Sequence, residues 1–189
     1  MKISCTYTEN GTDVVSIEAV STKGLNPFKE YPQLNTIWPQ PYLGIATEVI
    51  DEHFAVADTH YIGAVLLIKK EGTVIGITGF VPFDNELVNF GLRWHGVVPE
   101  ERGKKHSEKV LEMVAQTLTA LHPTAQLLTE LVPQSEYGRP LEKHFQSLGF
   151  KKVGEPEKYD WSDDQWQGYS LDIAEFLASR KRKVVRPRM

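Results

Sequence analysis

The sequence predicts an α+β fold, a sheet with helices on its faces, and three observations predict it. Three β-forming runs separated only by turn residues follow one another between residues 64 and 98. A helix-period stretch comes next, from Lys105 to Leu121, and strand and helix then alternate up to residue 173. The 189 residues, 41% hydrophobic and 24% charged, suffice for one core. One domain is expected over residues 1–177, followed by a basic, disordered tail over 178–189.

Each element has a local cause. Ile3, Cys5 and Tyr7 alternate with Ser4, Thr6 and Thr8, the period of a half-buried strand. Asp13 to Val20 has the composition of a short helix ended by Lys23-Gly24. Pro27, Pro32, Pro39 and Pro41 forbid a long regular element over residues 24–43. Phe28, Tyr31, Trp38 and Tyr42 give that loop apolar surface with which to cover either the core edge or a substrate. A helix is expected near 43–57, then an antiparallel meander of Ala64–Lys70, Thr73–Val81 and Leu87–Val98, turning at Glu71-Gly72 and at Pro82 to Asn85. In the Lys105–Leu121 helix Val110, Leu111, Val114, Leu118 and Leu121 recur at helical spacing, and His122-Pro123 ends it. Gln126–Val132 reads as a strand, Arg139–Leu148 as a helix with Leu141, Phe145 and Leu148 on one face, and Phe150–Val153 and Tyr169–Ile173 as strands.

Composition narrows the function classes. No apolar run approaches the roughly 20 residues of a membrane span, and Met1 to Asn10 lacks the apolar region of a secretory signal, so a soluble, cytoplasmic protein is expected. Cys5 is the only cysteine, which excludes an intrachain disulfide, and it is expected to be a buried strand residue. The six histidines, at 53, 60, 95, 106, 122 and 144, show no paired metal spacing, so no metal is expected. The net charge of −4 is uneven: Arg180, Lys181, Arg182, Lys183, Arg186 and Arg188 crowd the C-terminus and leave the body acidic, a surface that attracts cations. The basic end admits nucleic acid as a partner, but ten residues without aromatics are a weak footprint for it.

The segment with chemistry in it is Val97 to Ser107, VVPEERGKKHS, where a strand ends, crosses a charged loop and enters a long helix. Helix N-termini present unpartnered N–H groups and the positive end of the helix dipole, an anion site. Arg102, Lys104 and Lys105 add three cations there, and Gly103 permits close backbone approach. A Walker A loop would need Gly at Val98 and Ser or Thr at Lys105, and a dinucleotide fingerprint needs three glycines that are absent.

Strand, VVPEERGKKHS, long helix, strand, helix, Ser147-Leu148-Gly149-Phe150 and strand together resemble the GNAT acetyltransferase family over residues 3–173. The resemblance implies a mostly antiparallel, mixed sheet of six to seven strands flanked by helices on both faces. It also implies acetyl-CoA as co-substrate and transfer of an acetyl group to a primary amine by direct attack in a ternary complex. The family's pyrophosphate loop, Gln or Arg followed by x-x-Gly-x-Gly/Ala, falls on Arg102 to Ser107, with Lys105 where the family has Gly and Ser107 where it has Gly or Ala. The resemblance therefore gives Arg102, Gly103, Lys104, Lys105, His106 and Ser107 to the pyrophosphate and Val97 and Val98 to the pantetheine arm. An N–H of Val97 or Val98 would also serve as donor to the acetyl oxygen. Lys105 must either start the helix in the ordinary way or send its side chain outward. Where the family has an Asn and, seven residues on, a Tyr that protonates the leaving thiolate, this chain has Gly138 and Phe145. Tyr137 and His144 are the replacement acids within reach in sequence.

An amine acceptor arrives as an ammonium and must lose a proton, which calls for a group titrating near neutrality. Alternation along Leu87–Val98 puts Asn89, Gly91, Arg93, His95 and Val97 on one polar face, so His95 is the first candidate base and Glu86 the next; a bulge near Gly91 or Gly96 would reverse the faces. Tyr159 to Tyr169, with Asp160, Asp163 and Asp164 beside Trp161 and Trp166, reads either as a grip for a cationic amine or as a solvated hairpin, while Arg93 favours an acceptor carrying a carboxylate. The expected partner is thus a small-molecule or peptide amine, with a homodimer admitted and no membrane. An acyl-CoA-binding relative with little or no catalysis is the alternative that Gly138, Lys105 and Phe145 favour.

Overall fold

The structure, a computed structural model, describes residues 2–9, 13–21, 26–56 and 64–184, with side chains over 26–51 and 64–180. In chain order the elements are β1 (Lys2–Glu9), β2 (Asp13–Ser21), α1 (Pro27–Glu30), a 3-10 turn (Pro32–Thr36), α2 (Tyr42–Val56), β3 (Ala64–Lys70), β4 (Thr73–Pro82) and β5 (Asn89–Val97). A second 3-10 turn (Pro99–Glu101) leads to α3 (His106–Leu121), β6 (Leu127–Pro133), α4 (Gly138–Leu148), β7 (Lys151–Lys158), β8 (Gln165–Asp172) and α5 (Ile173–Val184). This is the expected α+β class with a mixed, mostly antiparallel sheet. The chain forms two compact units, one holding the residues up to Val81 with Leu92–Val114, the other Pro82–Gly91 with the residues from Ala115 on.

In the first unit β1, β2, β3 and β4 pair antiparallel in sequence order, with Cys5 opposite Ile17, Ala19 opposite Ile68 and Leu67 opposite Ile77. The Asp13–Val20 run, expected to be helical, is β2. Val14, Val15, Ile17 and Val20 lose rotamer freedom in a helix and suit a pleated surface, and pairing with β1 and β3 on either side satisfies the backbone. That correction adds a strand, and eight are described. The proline-rich segment forms only short pieces: Asn26 caps α1 by accepting from the Phe28 and Lys29 N–H groups, and Phe28, Leu34 and Ile37 are buried. Leu66, Ile68, Ile77, Val110 and Leu111 are fully buried in the core of this unit.

In the second unit Asn89–Gly91 of β5 pair in parallel with Leu127–Thr129 of β6, and β6 pairs antiparallel with β8 over seven residues. β7 pairs with β8 and is almost wholly exposed, with a register shift between Val153 and Glu157. Helix α4 ends where Gly149 adopts a left-handed φ of 103° and the Phe150 N–H donates to the Phe145 carbonyl at 3.1 Å, the backbone reason for Gly within Leu148-Gly149-Phe150. Phe145 packs edge-on to Phe150 at 5.1 Å, and Leu128, Val132, Tyr169 and Leu171 join them inside. Helix α5 carries the chain through the expected 177/178 boundary to Val184. The side chain of Cys5, Lys23-Gly24 and residues 185–189 lie outside the described residues.

Candidate functional site

The loop from Val98 to Ser107 is built around one carboxylate. Glu101 meets His106 Nε2 at 2.7 Å, Lys104 Nζ at 3.1 Å and Lys70 Nζ at 3.4 Å. Burial pushes the Glu101 carboxyl up, but the hydrogen bonds from His106 and Lys104 and the Lys70 charge outweigh it and hold the group below the usual carboxylate range. Two of the cations near the loop are thereby tied in place, and the His106 ring, 0% exposed, is turned inward. His106 was expected among the cofactor-binding residues; its ring is instead a buried strut of the loop, held on Glu101.

Left-handed residues shape the approach to α3. Gly103 has φ 77° and Lys105 has φ 63°, and the first α3 bond runs from the Lys109 N–H to the Lys105 carbonyl at 3.3 Å. Lys105, where the resemblance asks for Gly, therefore adopts the conformation glycine favours and not an ordinary helical start. Arg102, Gly103 and Lys105 are exposed at the mouth. The Arg102 guanidinium also donates to the Ile37 carbonyl at 2.6 Å, strapping the proline-rich segment to the loop. Positive-φ residues before a 16-residue helix are the kind of backbone that can turn N–H groups toward an anion, and the helix start adds its own.

Strand β5 feeds this loop and bends on the way. Trp94, between Gly91 and Gly96, has φ 52°, and its indole N–H donates to the Ala46 carbonyl at 3.2 Å. Burial still alternates from Asn89 to His95, with Phe90, Leu92 and Trp94 buried and Asn89, Arg93 and His95 half-buried, while Gly91 is buried as well. Beyond the bend, Gly96 lies under the proline-rich segment, where an added Cβ would stand 2.5 Å from Ile37. His95, one residue earlier, faces the other way. Its Nε2 is 2.6 Å from Ser107 Oγ in the first turn of α3, and its Nδ1 is 3.0 Å from the Oγ of the fully buried Thr78. Val97 and Val98 are buried, and the Val98 N–H donates to the Ile75 carbonyl at 2.8 Å, so Val98 is excluded as the oxyanion donor. Because successive N–H groups along a strand point to opposite sides, that of Val97 is directed away from β4.

The remaining expected residues lie in the second unit. Glu86 is exposed in the turn before β5, which Asp84 closes by accepting from the Val88 and Asn89 N–H groups at 3.0 Å each; those bonds, the Val88 one first, hold the Asp84 carboxyl below its usual range. Tyr137 is half-buried beside the start of α4, and the His144 ring lies tilted at 56° beside Phe145, 5.6 Å away. Tyr169 has a perturbed hydroxyl: its OH donates to Glu142 at 2.6 Å, and burial first, and then Glu142, push it up to about 12. Tyr159, Trp161 and Trp166 form a cluster at the β7–β8 hairpin, with ring separations of 5.1 and 4.9 Å. Trp161 is 46% exposed among Asp160, Asp163 and Asp164. No three His, Cys, Asp or Glu side chains are grouped to hold a metal among the described residues, and no described helix is long and apolar enough to cross a membrane.

No family model matches the sequence and no curated protein matches it. Solved structures do match the fold. A putative GNAT-family acetyltransferase from Desulfovibrio desulfuricans superposes with a TM-score of 0.65 at 15% identity, over 84% of this chain and 99% of that one. A spermidine N-acetyltransferase SpeG chimera from Vibrio cholerae and hSSAT gives 0.62 at 11% identity, over 86% and 98%. FdhC, a nucleotide-linked sugar GNAT, gives 0.60 at 12% identity, over 96% and 98%.

Proposed function

We propose that this chain, which has the GNAT fold, is an acetyl-CoA-dependent N-acetyltransferase acting on a primary amine by direct attack in a ternary complex. The observation that carries the reading is the left-handed pair Gly103 and Lys105 at the start of α3, a backbone cradle with Lys105 and Arg102 at its rim. In this reading the cradle from Arg102 to Ser107 holds the pyrophosphate of acetyl-CoA. The Val97 N–H, directed away from β4, supplies a partner for the pantetheine arm or the acetyl oxygen. The thioester supplies the activated acetyl group. The ammonium acceptor gives up its proton before the nitrogen attacks, with His95, Glu86 and Tyr137 as the candidate groups.

A cationic acceptor is supported by the hairpin that joins exposed Trp161 to Asp160, Asp163 and Asp164, and by the likeness to a spermidine N-acetyltransferase. The second reading, a cofactor-binding protein with little turnover, is favoured by Phe145, a buried ring without a proton to donate where the family resemblance asks for a Tyr. Calorimetric titration with acetyl-CoA beside ATP separates these from an unrelated function. Micromolar binding of acetyl-CoA, weakened about tenfold or more in Arg102→Ala plus Lys105→Ala, is expected. Turnover on a panel of amines and polyamines then decides between the two readings, and absence of binding to every CoA form removes both.

A further inference from the structure

Pro27, Pro32, Pro39 and Pro41 remove four backbone donors from the segment between β2 and α2, so its carbonyls need partners from elsewhere. Three of its own side chains reach out: Asn26 and Lys29 meet Asp51 of α2, and Gln33 donates to the Val74 carbonyl of β4. The Arg102 guanidinium reaches in. It donates at 2.6 Å to the carbonyl of Ile37, a residue 2% exposed, and no other donor to that carbonyl occurs among the described residues. A guanidinium that swung away to an anion would leave a buried acceptor without a donor, which is costly. Lys105 is under no such tie. It is exposed and meets no carboxylate among the described residues. Opposite the strap, Gly96 is what lets the segment lie down: a Cβ there would stand 2.5 Å from Ile37 Cγ2 and 3.4 Å from the Trp38 ring.

We infer that the two exposed cations of the loop divide the work: Lys105 serves the anion with its side chain, while Arg102 is a positioning residue that holds Ile37 and Trp38 down on Gly96. The Lys105 half rests on the cofactor reading of the proposed function; the strap does not. In that reading Val97, the residue after Gly96, lies at the acetyl end of the co-substrate. The half-buried Trp38 ring, packed edge-on to Phe28 at 5.9 Å, then forms a wall beside the reacting groups. Its placement by Arg102 sets how the acceptor fits.

The experiment is amide hydrogen exchange of the full chain together with calorimetry with CoA, on wild type, Arg102→Met, Arg102→Lys, Gly96→Ala and Lys105→Gln, with thermal melts to confirm folding. The Ile37 and Leu43 amides, which donate to the Leu34 and Pro39 carbonyls on either side of Trp38, are the reporters. Arg102→Lys keeps the charge on a side chain one bond shorter, too short to hold the strap. Both Arg102 variants and Gly96→Ala are expected to speed reporter exchange roughly three- to tenfold. The Arg102 variants should keep CoA affinity within about twofold and raise the acceptor KM severalfold on an amine that wild type acetylates. Lys105→Gln should lose roughly five- to tenfold in CoA affinity and leave the reporters unmoved. Unmoved reporters in Arg102→Met overturn the strap, and a loss of CoA affinity there as large as in Lys105→Gln overturns the division of work; either result leaves the cofactor reading standing. Failure of CoA to bind wild type removes the cofactor reading and the Lys105 half with it, and the exchange measurement still decides the strap.

Discussion

Four positions depart from the pattern the family resemblance sets, Lys105, Ser107, Gly138 and Phe145, and two of them, Lys105 and Gly138, do so in opposite ways. At Lys105 the backbone is one that suits the expected residue: a lysine adopts φ 63° where glycine would adopt it at no steric cost. At Gly138 the backbone excludes the expected residue, because a Cβ there would stand 1.7 Å from the Pro133 carbonyl oxygen. A missing motif residue therefore has no fixed meaning. At the anion loop a left-handed conformation is kept with a lysine in it, whereas before α4 no Asn fits without moving the chain.

The largest effect is expected from forcing the second site back to the pattern. Gly138→Asn should cost about 3 kcal/mol or more and lower the melting temperature by roughly 10 °C; an unchanged melt would mean that Pro133 yields freely and the contrast is false. Phe145→Tyr adds a hydroxyl to a ring packed on Phe150 and should cost about 1–3 kcal/mol without raising acetyl transfer, measured by melts and by thiol release. A clear gain in rate would show that the acid position is intact after all. Glu101→Gln loosens the hub of the first site, with about 1–3 kcal/mol of stability and several-fold of CoA affinity expected to go. The folded Glu101 carboxyl lies below its ordinary value of 4.5, so its contribution is present above that pH and is lost as pH falls through the folded value. The variant should accordingly show a flatter acid limb. Lys105→Gly is the smallest: relief of a left-handed lysine against the added chain entropy leaves at most about 1 kcal/mol of stabilisation, with CoA binding retained apart from one cation.

The parts of the fold legible in sequence are those fixed by short-range period. Ala64–Lys70 is a strand to the residue, and the Val110 to Leu121 stripe announces α3. Asp13–Val20 was misread because its pairing with β1 and β3, which decides its state, is not written in its own eight residues. The candidate site was legible as a location and less so as geometry. VVPEERGKKHS marks the loop, yet residue identity does not carry the sign of φ at Lys105 or Trp94. That the Val98 N–H is spent on Ile75 depends on strand adjacency. The meeting of His95 with Ser107 joins a strand to a helix across twelve residues, and the one hint was a hydroxyl in place of a smaller side chain.

The exposed strand β7, KKVGEPEK, pairs with β8 on one side. Its lysines and glutamates, Pro156, and the kink at Gly154, with φ 62°, make the other side a poor template for a further strand. Crowding should thus leave this border unzippered: concentrated solutions of the protein are protected there from runaway stacking of sheets, and an assembly of copies would have to be sought on some other surface.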